Sequence, residues 1–330
     1  MAARLFLAAD VGGTKTNLAL FESVAGRLKL RASERFSSRE FTSLERLVAA
    51  YRQAHPERVQ AACFGVAGPV VNGRVEATNL PWVIDGKKLS RAVGAPVNLI
   101  NDLAATAYGI LVLPPKAFAT LHAGKAQKYG TVAVIAAGTG LGEAGLIWNG
   151  AGYQALATEG GHTEFGPRNE LEIDLLRYLS KRHGHVSYER ILSGPGKLAV
   201  YEFIRDSGRG DEPEWLRSRM QGSDASALVS ELALTKQVDA CVQALDLFVS
   251  LYGAEAGNLA LKLLSAGGVY IGGGIAPTIL AKLQDGTFMR SFHDKGRLSH
   301  VLQNIPVKVI LDDRAALFGA AAAASSLEKK

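Results

Sequence analysis

Residues 4–21 read "RLFLAADVGGTKTNLALF", with a glycine-rich segment between two apolar runs. An apolar run that ends at an acidic residue and meets glycines predicts a buried strand followed by a turn, and the second run predicts the returning strand. The same arrangement recurs in "YGTVAVIAAGTGLGEAGLIWNG" (129–150), which closes with the Asn-Gly pair typical of a β-hairpin. Two copies of strand, glycine turn and strand predict an internally duplicated fold.

Helical patterns between the strands indicate a mixed α/β sheet. Apolar spacing predicts a helix over 42–54, with Thr42 as its N-cap and Glu45 completing a capping box. A short apolar strand over 97–102 runs into a helical segment at Asp102. Further helices are predicted over 170–182, 187–205, 235–264 and 312–325.

Composition excludes several classes of protein. The chain has 330 residues, a length that favours two domains, and its net charge of +6 is not concentrated in a basic arm for nucleic acid. Cys63 and Cys241 lie far apart in apolar segments, which favours a reducing cytoplasm over a disulfide framework. The alanine-rich C-terminal stretch is too short to span a bilayer, so no membrane partner is expected.

Two glycine turns offer sites for phosphate. In "DVGGTKT" (10–16), glycines let backbone N–H groups approach a phosphate, and the Asp10 carboxylate can hold a phosphate-bound magnesium ion directly or through water. The alternative is a plain hairpin turn. The second turn is "AAGTGLG" (136–142), where "GLGEAG" (140–145) also fits the dinucleotide fingerprint. That fingerprint requires a following helix, whereas "AGLIWNG" predicts a strand, so the dinucleotide interpretation is rejected.

A third glycine turn and an acidic junction remain open to two interpretations each. "IGGGI" (271–275) would give a surface free of side chains on which a planar base could lie, or a tight strand-to-helix turn. In "IND" (100–102), Asp102 could be a general base for a hydroxyl, or the N-cap of the helix that follows.

A cluster of acidic residues and histidine lies in "TEGGHTEF" (158–165). Glu159, His162 and Glu164 could bind a metal ion, stabilise a turn, or accept and donate hydrogen bonds to sugar hydroxyls, and the sequence alone decides for none of these. In "HVSYERILSGPG" (185–196), Ser187 is a plausible N-cap, and the helix dipole by itself accounts for Glu189 in a first turn.

The ordered set "DVGGTKT", "IND", "AAGTGLG", "TEGGHTEF", "ERILSGPG" and "IGGGI" closely resembles the bacterial glucokinase family, within the superfamily of sugar kinases, actin and heat-shock ATPases. The resemblance implies a two-domain α/β fold with a duplicated ribonuclease H-like (actin-like ATPase) core and an interdomain cleft for ATP and sugar. The small domain would comprise 1–112 plus 313–330, and the large domain 113–312.

The resemblance also implies the role of each motif. Asp102 is expected as the catalytic base, and the glucose ligands are expected to be Asn101, Asp102, Glu159, His162 and Glu189. The expected nucleotide-binding residues are Asp10, Gly12, Gly13, Thr14, Gly138, Thr139, Gly140, Gly272, Gly273 and Gly274. Asp10 is further expected to hold Mg²⁺ through ATP, and Glu164 to play a supporting role for His162 or its loop.

The expected reaction is the ATP-dependent phosphorylation of glucose at its 6-hydroxyl to glucose 6-phosphate, with ATP and Mg²⁺, in a cytoplasmic homodimer without nucleic-acid or membrane partners. One alternative is a kinase of another hexose or amino sugar, such as fructose, mannose or N-acetylmannosamine. Another is an ATP-dependent filament or chaperone relative, which would keep the nucleotide turns but would not need "EGGH" and "IND".

Overall fold

The computed structural model describes residues 4–77, 80–221 and 224–327. Its strands are β1 (Arg4–Val11), β2 (Lys15–Val24), β3 (Arg27–Ser37), β4 (Ala61–Val66), β5 (Arg74–Glu76), β6 (Val83–Asp85), β7 (Val97–Asn101), β8 (Phe118–His122), β9 (Val132–Ala137), β10 (Leu141–Trp148), β11 (Tyr153–Ala157), β12 (Gly268–Gly272) and β13 (Val307–Ile310). Its helices are α1 (Leu44–Ala54), α2 (Gly86–Val93), α3 (Asp102–Ile110), α4 (Glu170–His183), α5 (Gly194–Asp206), α6 (Glu214–Met220), α7 (Ala225–Leu234), α8 (Asp239–Leu263), α9 (Ile275–Thr278), α10 (Leu280–Leu283), α11 (Thr287–His293), α12 (Ser299–Leu302) and α13 (Ala315–Leu327). Within these described ranges, every helix is too short or too polar to cross a membrane.

The first sheet has the strand order β3-β2-β1-β4-β7. β1 pairs antiparallel with β2 and parallel with β4, which in turn pairs parallel with β7. Side chains of β1 alternate between two cores: Leu7 packs with residues of α1 and α2, and Phe6 packs with residues of α13. Because both faces are covered, β1 and β4 read as nearly continuous apolar runs in the sequence.

The second sheet repeats this order as β11-β10-β9-β12-β13 and adds β8 at its edge. β10 and β11 are antiparallel, whereas β9, β12 and β13 run parallel. The five shared positions therefore carry the same directions in both sheets, which confirms the predicted α/β fold with internal duplication. The additional strand β8 pairs antiparallel with β13, and the sequence analysis did not predict it.

The chain forms two compact units. The first contains Met1–Ala117, Ala144–Ala157 and Asp312–Lys330, and the second contains Phe118–Glu143 and Thr158–Leu311. The β-hairpin of β10 and β11 thus groups largely with the first unit, a feature absent from the predicted limits near 112 and 313. Those domain limits stay a prediction.

Two predicted helix starts were wrong. Ser43, not Thr42, is the N-cap of α1, because its hydroxyl accepts a hydrogen bond from the amide of Arg46. The predicted helix over 187–205 is instead a 3₁₀ turn (Tyr188–Arg190) followed by α5, which Ser193 caps at the amide of Gly196.

The reason for the second error is a proline. Pro195 has no amide hydrogen and is tolerated only in the first turn of a helix, so no helix can run through it from Ser187. The side chain of Ser187 makes no capping bond. The interpretation of Glu189 as a dipole-stabilised residue of that longer helix is therefore wrong as well.

Candidate active site

The junction of β7 and α3 separates two side chains that are adjacent in sequence. Asn101 is the N-cap: its Oδ1 accepts hydrogen bonds from the amides of Leu103 (2.9 Å) and Ala104 (3.2 Å). Its Nδ2 donates to the carbonyl of Gly68 at 3.4 Å. The alternative in which Asp102 caps the helix is therefore wrong. Asp102 is the first helical residue and is half-buried.

The strand register brings Asp10 and Asp102 to one edge of the first sheet. Val11 pairs with Val66, and Val66 pairs with Asn101, so the carboxyl ends of three parallel strands lie level. Neighbouring strands are about 4.8 Å apart, so the ends of β1 and β7 are separated by roughly 10 Å. The predicted base, Asp102, and the predicted magnesium-holding residue, Asp10, thus belong to the same edge.

Asp10 lies in a polar network. Asn17 donates from Nδ2 to Asp10 Oδ2 (3.3 Å) and accepts from Arg35 Nε (2.9 Å), while Arg35 lies 3.9 Å from Asp313. Burial raises the pKa of the Asp10 carboxyl above its ordinary value, against the lowering effects of Asn17 and Arg35. A cation beside this carboxylate would offset its desolvation.

This donor set fits a magnesium ion that arrives with phosphate, not one held by the protein alone. The described residues contain no group of three or more His, Cys, Asp or Glu side chains that could hold a metal. A single carboxylate such as Asp10 is typical of Mg²⁺ sites in which substrate phosphates and water supply the other ligands. The same finding gives no support to the metal interpretation of Glu159, His162 and Glu164.

The first glycine turn is held by Ser38. The amide of Gly12 donates to the carbonyl of Lys15 (3.0 Å), and the Ser38 hydroxyl donates to the carbonyl of Gly12 (2.8 Å). The amide of Ser38 donates to the carbonyl of Thr14 (3.0 Å). Gly13 is half-buried and Thr14 is exposed, so the backbone is fixed while the tip of the turn stays accessible.

The second glycine turn is tighter and rests on a helix. The amide of Gly138 donates to the carbonyl of Gly140 (2.8 Å), and the carbonyl of Gly138 accepts from the amide of Gly194 (2.8 Å). Gly194 begins α5, so the start of that helix lies against the turn. Thr139 is exposed at the tip.

The third glycine turn lies beside the second because β9 and β12 are parallel neighbours. Gly273 has a φ of 81°, and a side chain there would overlap the carbonyl of Ala137, so glycine is required at this position. The Tyr252 hydroxyl accepts from the amide of Ala137 (3.1 Å) and lies 3.4 Å from the carbonyl of Gly272. Gly273 and Gly274 are exposed, whereas Gly272 is buried at the end of β12 and α9 begins at Ile275. The segment is thus a tight strand-to-helix turn, and its use as a surface for a planar base stays a prediction.

Three of the predicted sugar ligands come together in the second unit. His162 Nδ1 lies 3.9 Å from Glu159 Oε2, and His162 Nε2 lies 3.7 Å from Glu189 Oε1. The other oxygen of Glu189 accepts from the amide of Leu141 (3.0 Å) and occupies the space that a side chain at Gly140 would need. One carboxylate therefore contacts both the histidine and the second glycine turn.

Glu164 is not part of this cluster. Its backbone forms an isolated β-bridge with Ser187, and its side chain is exposed. The bridge fixes the chain just after His162 to the segment that carries Glu189. The supporting role expected of Glu164 stays a prediction.

Among the described residues, four buried charged side chains were not predicted from the sequence, namely Glu143, Glu172, Lys197 and Glu255. Glu143 lies on β10 at 1% exposure, and Lys197 lies on α5 at 3% exposure with its ammonium donating to the hydroxyl of Ser230. Burial lowers the pKa of Lys197 to about 8. A usable signal was present for Glu143, because it is the single charged residue of the strand segment "LGEAGLIW".

Comparison with known proteins gives one consistent result. The sequence profile of the glucokinase family matches residues 7–327. A glucokinase of Nostoc sp. is 44% identical, over 98% of this chain and 99% of its own length. The crystal structure of a glucokinase from an Antarctic psychrotroph is 32% identical with a TM-score of 0.86, over 98% of this chain and 99% of that one.

A more distant structure agrees in fold. A ROK-family glucokinase from Streptomyces griseus, solved in complex with glucose and AMPPNP, has a TM-score of 0.68 at 21% identity, over 98% of this chain and 100% of that one. The predicted two-domain fold of the sugar kinases is thereby confirmed. The chain therefore belongs to the glucokinase family, which confirms the predicted class of enzyme, a kinase that phosphorylates glucose with ATP.

Proposed function

We propose that this chain transfers the γ-phosphoryl group of ATP to the 6-hydroxyl of glucose, with Asp102 as the general base. The sugar's oxygen attacks the γ-phosphorus, the bond to the bridging oxygen of ADP breaks, and the hydroxyl proton passes to the Asp102 carboxylate. The proposal rests above all on the position of Glu189. One of its carboxylate oxygens contacts the second glycine turn and the other lies near His162.

The sugar ligands in this proposal are Asn101, Asp102, Glu159, His162 and Glu189. Carboxylates accept hydrogen bonds and imidazole can accept or donate, so the second-unit cluster suits the neutral hydroxyls of a hexose. Asn101 Oδ1 already accepts two backbone hydrogen bonds, which leaves its Nδ2 as the group with capacity for a sugar oxygen.

The nucleotide occupies the glycine turns in this proposal. Gly12, Gly13 and Thr14 in the first turn and Gly138, Thr139 and Gly140 in the second line the phosphates, and Gly272, Gly273 and Gly274 lie against the adenosine. The amides of Gly12 and Gly138 are bonded within their own turns, so other amides of the two turns donate to the phosphate oxygens. Asp10 would hold Mg²⁺ bound to the phosphates, directly or through water, and the ion would supply charge neutralisation for the transfer. The Streptomyces griseus protein was solved with the ATP analogue AMPPNP, which supports ATP as donor.

A kinetic panel tests this function. Formation of sugar phosphate is measured with glucose, fructose, mannose and N-acetylmannosamine, each combined with ATP, ADP or polyphosphate as donor and with Mg²⁺ present or removed by chelation. Release of ADP from ATP is measured separately without any sugar. We expect glucose with Mg·ATP to give the largest kcat/KM, and chelation to abolish turnover. Preference for another sugar would overturn the assignment of glucose, and ADP release without any hexose would favour a filament or chaperone relative.

We further propose a cytoplasmic homodimer, on the family resemblance alone. Light scattering after gel filtration measures the mass of the purified protein directly. A mass close to that of one 35.0 kDa chain would contradict the homodimer.

A further inference from the structure

Glu143 is a buried acid with no part in the proposed reaction. It lies on β10 at 1% exposure, and no described donor reaches its fully buried Oε1. A carboxylate in such a position would be strongly disfavoured, because a buried charge needs hydrogen bonds or a counter-ion. The structure must therefore stabilise Glu143 in some other form.

The partner of Glu143 is a second buried acid, Glu255 of α8. The two carboxyl groups are in hydrogen-bonding contact. Glu255 already accepts hydrogen bonds from Lys262 Nζ (2.9 Å) and Asn258 Nδ2 (2.8 Å). Glu255 is therefore the acceptor in these contacts, and in a hydrogen bond between the two acids Glu143 is the donor.

The electrostatic surroundings agree with this assignment. Burial, and then the charge of Glu255, raise the pKa of Glu143 to about 8, and only Lys262 acts in the opposite direction. A protonated Glu143 is a neutral donor toward Glu255, and its second oxygen loses far less on burial than a carboxylate oxygen would. Two touching carboxyl groups cannot both ionise at neutral pH.

The loop of the proposed sugar site rests on this acid. Gly160 lies so close to Glu143 Oε2 that a side chain on it would overlap the carboxyl. The main-chain carbonyl of Glu143 accepts from the Thr158 hydroxyl (3.0 Å), which itself accepts from the amide of Gly160 (3.2 Å). A side chain at Gly161 would overlap the carbonyl of Leu141. The loop that presents Glu159 and His162 is thus seated on β10 at the position of Glu143.

The same acid pair lies beneath the other side of the cluster. Asn258 Nδ2 donates both to Glu255 Oε2 (2.8 Å) and to the Tyr188 hydroxyl (3.2 Å). Tyr188 directly precedes Glu189 in the 3₁₀ turn. Glu143 thus contacts one segment that carries the proposed sugar ligands, and Glu255 is linked through Asn258 to the other.

We propose that Glu143 is a positioning residue for hexose binding: by sharing a proton with Glu255, it fixes the loop 158–162 and the turn Tyr188–Arg190, and with them Glu159, His162 and Glu189. This inference rests on the proposed sugar site. Loss of the proton places two negative charges in contact beneath both segments, so the arrangement of the cluster depends on pH.

Other titratable groups face this pair and need a control. Lys262, Tyr188 and Tyr252 lie around the two acids. Lys295, which donates to the carbonyl of Ala254, is held by burial at a pKa of about 8, and so it titrates in the same range as Glu143. A substitution of Glu143 itself separates its contribution from that of these neighbours.

The test is the dissociation constant for glucose, measured by calorimetry without nucleotide at about pH 7 and about pH 9. Wild-type protein should bind glucose about 5–10-fold more weakly at the higher pH, a coupling of ordinary size between two linked sites. Glu143→Gln keeps the donor but cannot ionise, so its glucose affinity should stay close to the wild-type value at pH 7 and change less than about twofold with pH. Glu143→Leu can neither donate a hydrogen bond nor ionise, so it should bind glucose about tenfold more weakly at both pH values.

Two outcomes would overturn the proposal. One is an equal alkaline loss of affinity in wild type and Glu143→Gln. The other is a lower melting temperature of Glu143→Leu with unchanged glucose affinity, which is what a role in folding alone predicts. Hexose-dependent ADP release, assayed in the same preparations, distinguishes failure of this inference from failure of the proposed function, because only the latter abolishes it in wild type.

Discussion

The two sheets repeat one strand order, but the turns at their edges are held differently. In the first unit, the turn after β1 closes from Gly12 to Lys15 and is held by the hydroxyl of Ser38. In the second, the turn after β9 closes from Gly138 to Gly140 and lies against the carboxylate of Glu189. The duplication thus produces two similar strand–turn–strand units. The segments that follow the strands place different side chains beside each turn.

The strand that follows each turn shows the same difference. β2 buries apolar residues such as Leu18 and Leu20, whereas β10 buries Glu143 under the loop of the proposed sugar site. The first unit places Asp10 and Asp102 at one sheet edge. This comparison predicts that substitutions in the first unit change the chemical step and that substitutions in the second change substrate binding.

The largest effect is expected in the first unit, for Asp102→Asn. Removing the base should lower kcat by about 10²–10⁴-fold. The melting temperature should stay close to that of wild type, because Asn101 and not Asp102 caps α3. A coupled assay of ADP release measures kcat, and thermal unfolding measures stability.

A matched control for this substitution is Asp85→Asn. Asp85 also ends a strand and begins a helix, but it caps α2, accepting from the amides of Lys87 (2.8 Å) and Lys88 (3.2 Å). Asparagine is an equally good N-cap, so both kcat and stability should be retained. If Asp102→Asn has the same kcat as this control, Asp102 is not the base.

The next effect is expected in the second unit, for Gly140→Ala. The added methyl group overlaps the Glu189 carboxylate and should displace it from the amide of Leu141. Loss of a charged hydrogen bond of about 1.5–3 kcal/mol corresponds to roughly 10–100-fold weaker glucose binding. Calorimetric titration with glucose measures this loss.

Gly138→Ala is the matched control for that substitution. A side chain at Gly138 has no atom within 4 Å, so the Glu189 carboxylate should stay in place. We expect unchanged glucose affinity and, at most, weaker binding of ATP to the turn. Equal losses of glucose affinity in both alanine variants would contradict the role given to Glu189.

A smaller effect is expected for Glu159→Gln. The amide offers one acceptor where the carboxylate offers two, so glucose affinity should fall about tenfold while kcat at saturating glucose changes little. Glu164→Gln, in the same loop but with an exposed side chain outside the cluster, should bind glucose as wild type does. A fall in kcat without a change in affinity would place Glu159 in the chemical step instead.

The smallest effect concerns stability and the buried Lys197. Its pKa is lowered by burial to about 8 from the ordinary 10.5, so between these values the unfolded chain binds more protons than the folded one. Stability from this group therefore rises as pH increases from about 8 to about 10.5, and it is lost as pH falls through 8.

Lys197→Met tests this sign. Relative to Lys197→Met, the wild-type melting temperature should increase with pH over that window, with about 2–4 °C for each kcal/mol in domains of this size. Lys181→Met, at an exposed position of α4, controls for the general effect of losing a surface charge. A difference between wild type and Lys197→Met that does not vary with pH would show that Lys197 does not titrate in this range.

Local sequence patterns were sufficient to predict much of the fold. The apolar runs and glycine turns at 4–21 and 129–150 correctly predicted both strand–turn–strand units, because burial on both faces and tight turns leave direct marks in a sequence. The boundary errors at Thr42 and Ser187 arose where two nearby hydroxyl residues could each serve as a cap. Pro195 could have excluded the helix start at Ser187, because a proline is tolerated only in the first turn of a helix.

The candidate site was predictable only in part. Asp102 and Asn101 were both identified, but the sequence interpretation offered only Asp102 as the cap, and the observed hydrogen bonds of Asn101 correct it. Glu189 was found through resemblance, whereas its own sequence context favoured a dipole interaction. The contact between the Glu189 carboxylate and Gly140 joins residues that lie far apart in the sequence.

The sequence by itself determined the two repeated strand units, the glycine turns and the kind of chemistry that their acidic residues permit. These follow from local constraints, namely strand periodicity, the small size of glycine and the absence of an amide hydrogen in proline. Only the tertiary structure decided that Glu189 lies against Gly140 and that the acids Glu143 and Glu255 are buried as neighbours, which is the basis for the shared proton proposed above. A protonation state depends on burial and on partners brought together by the fold, and neither is written in the residues on either side of an acid.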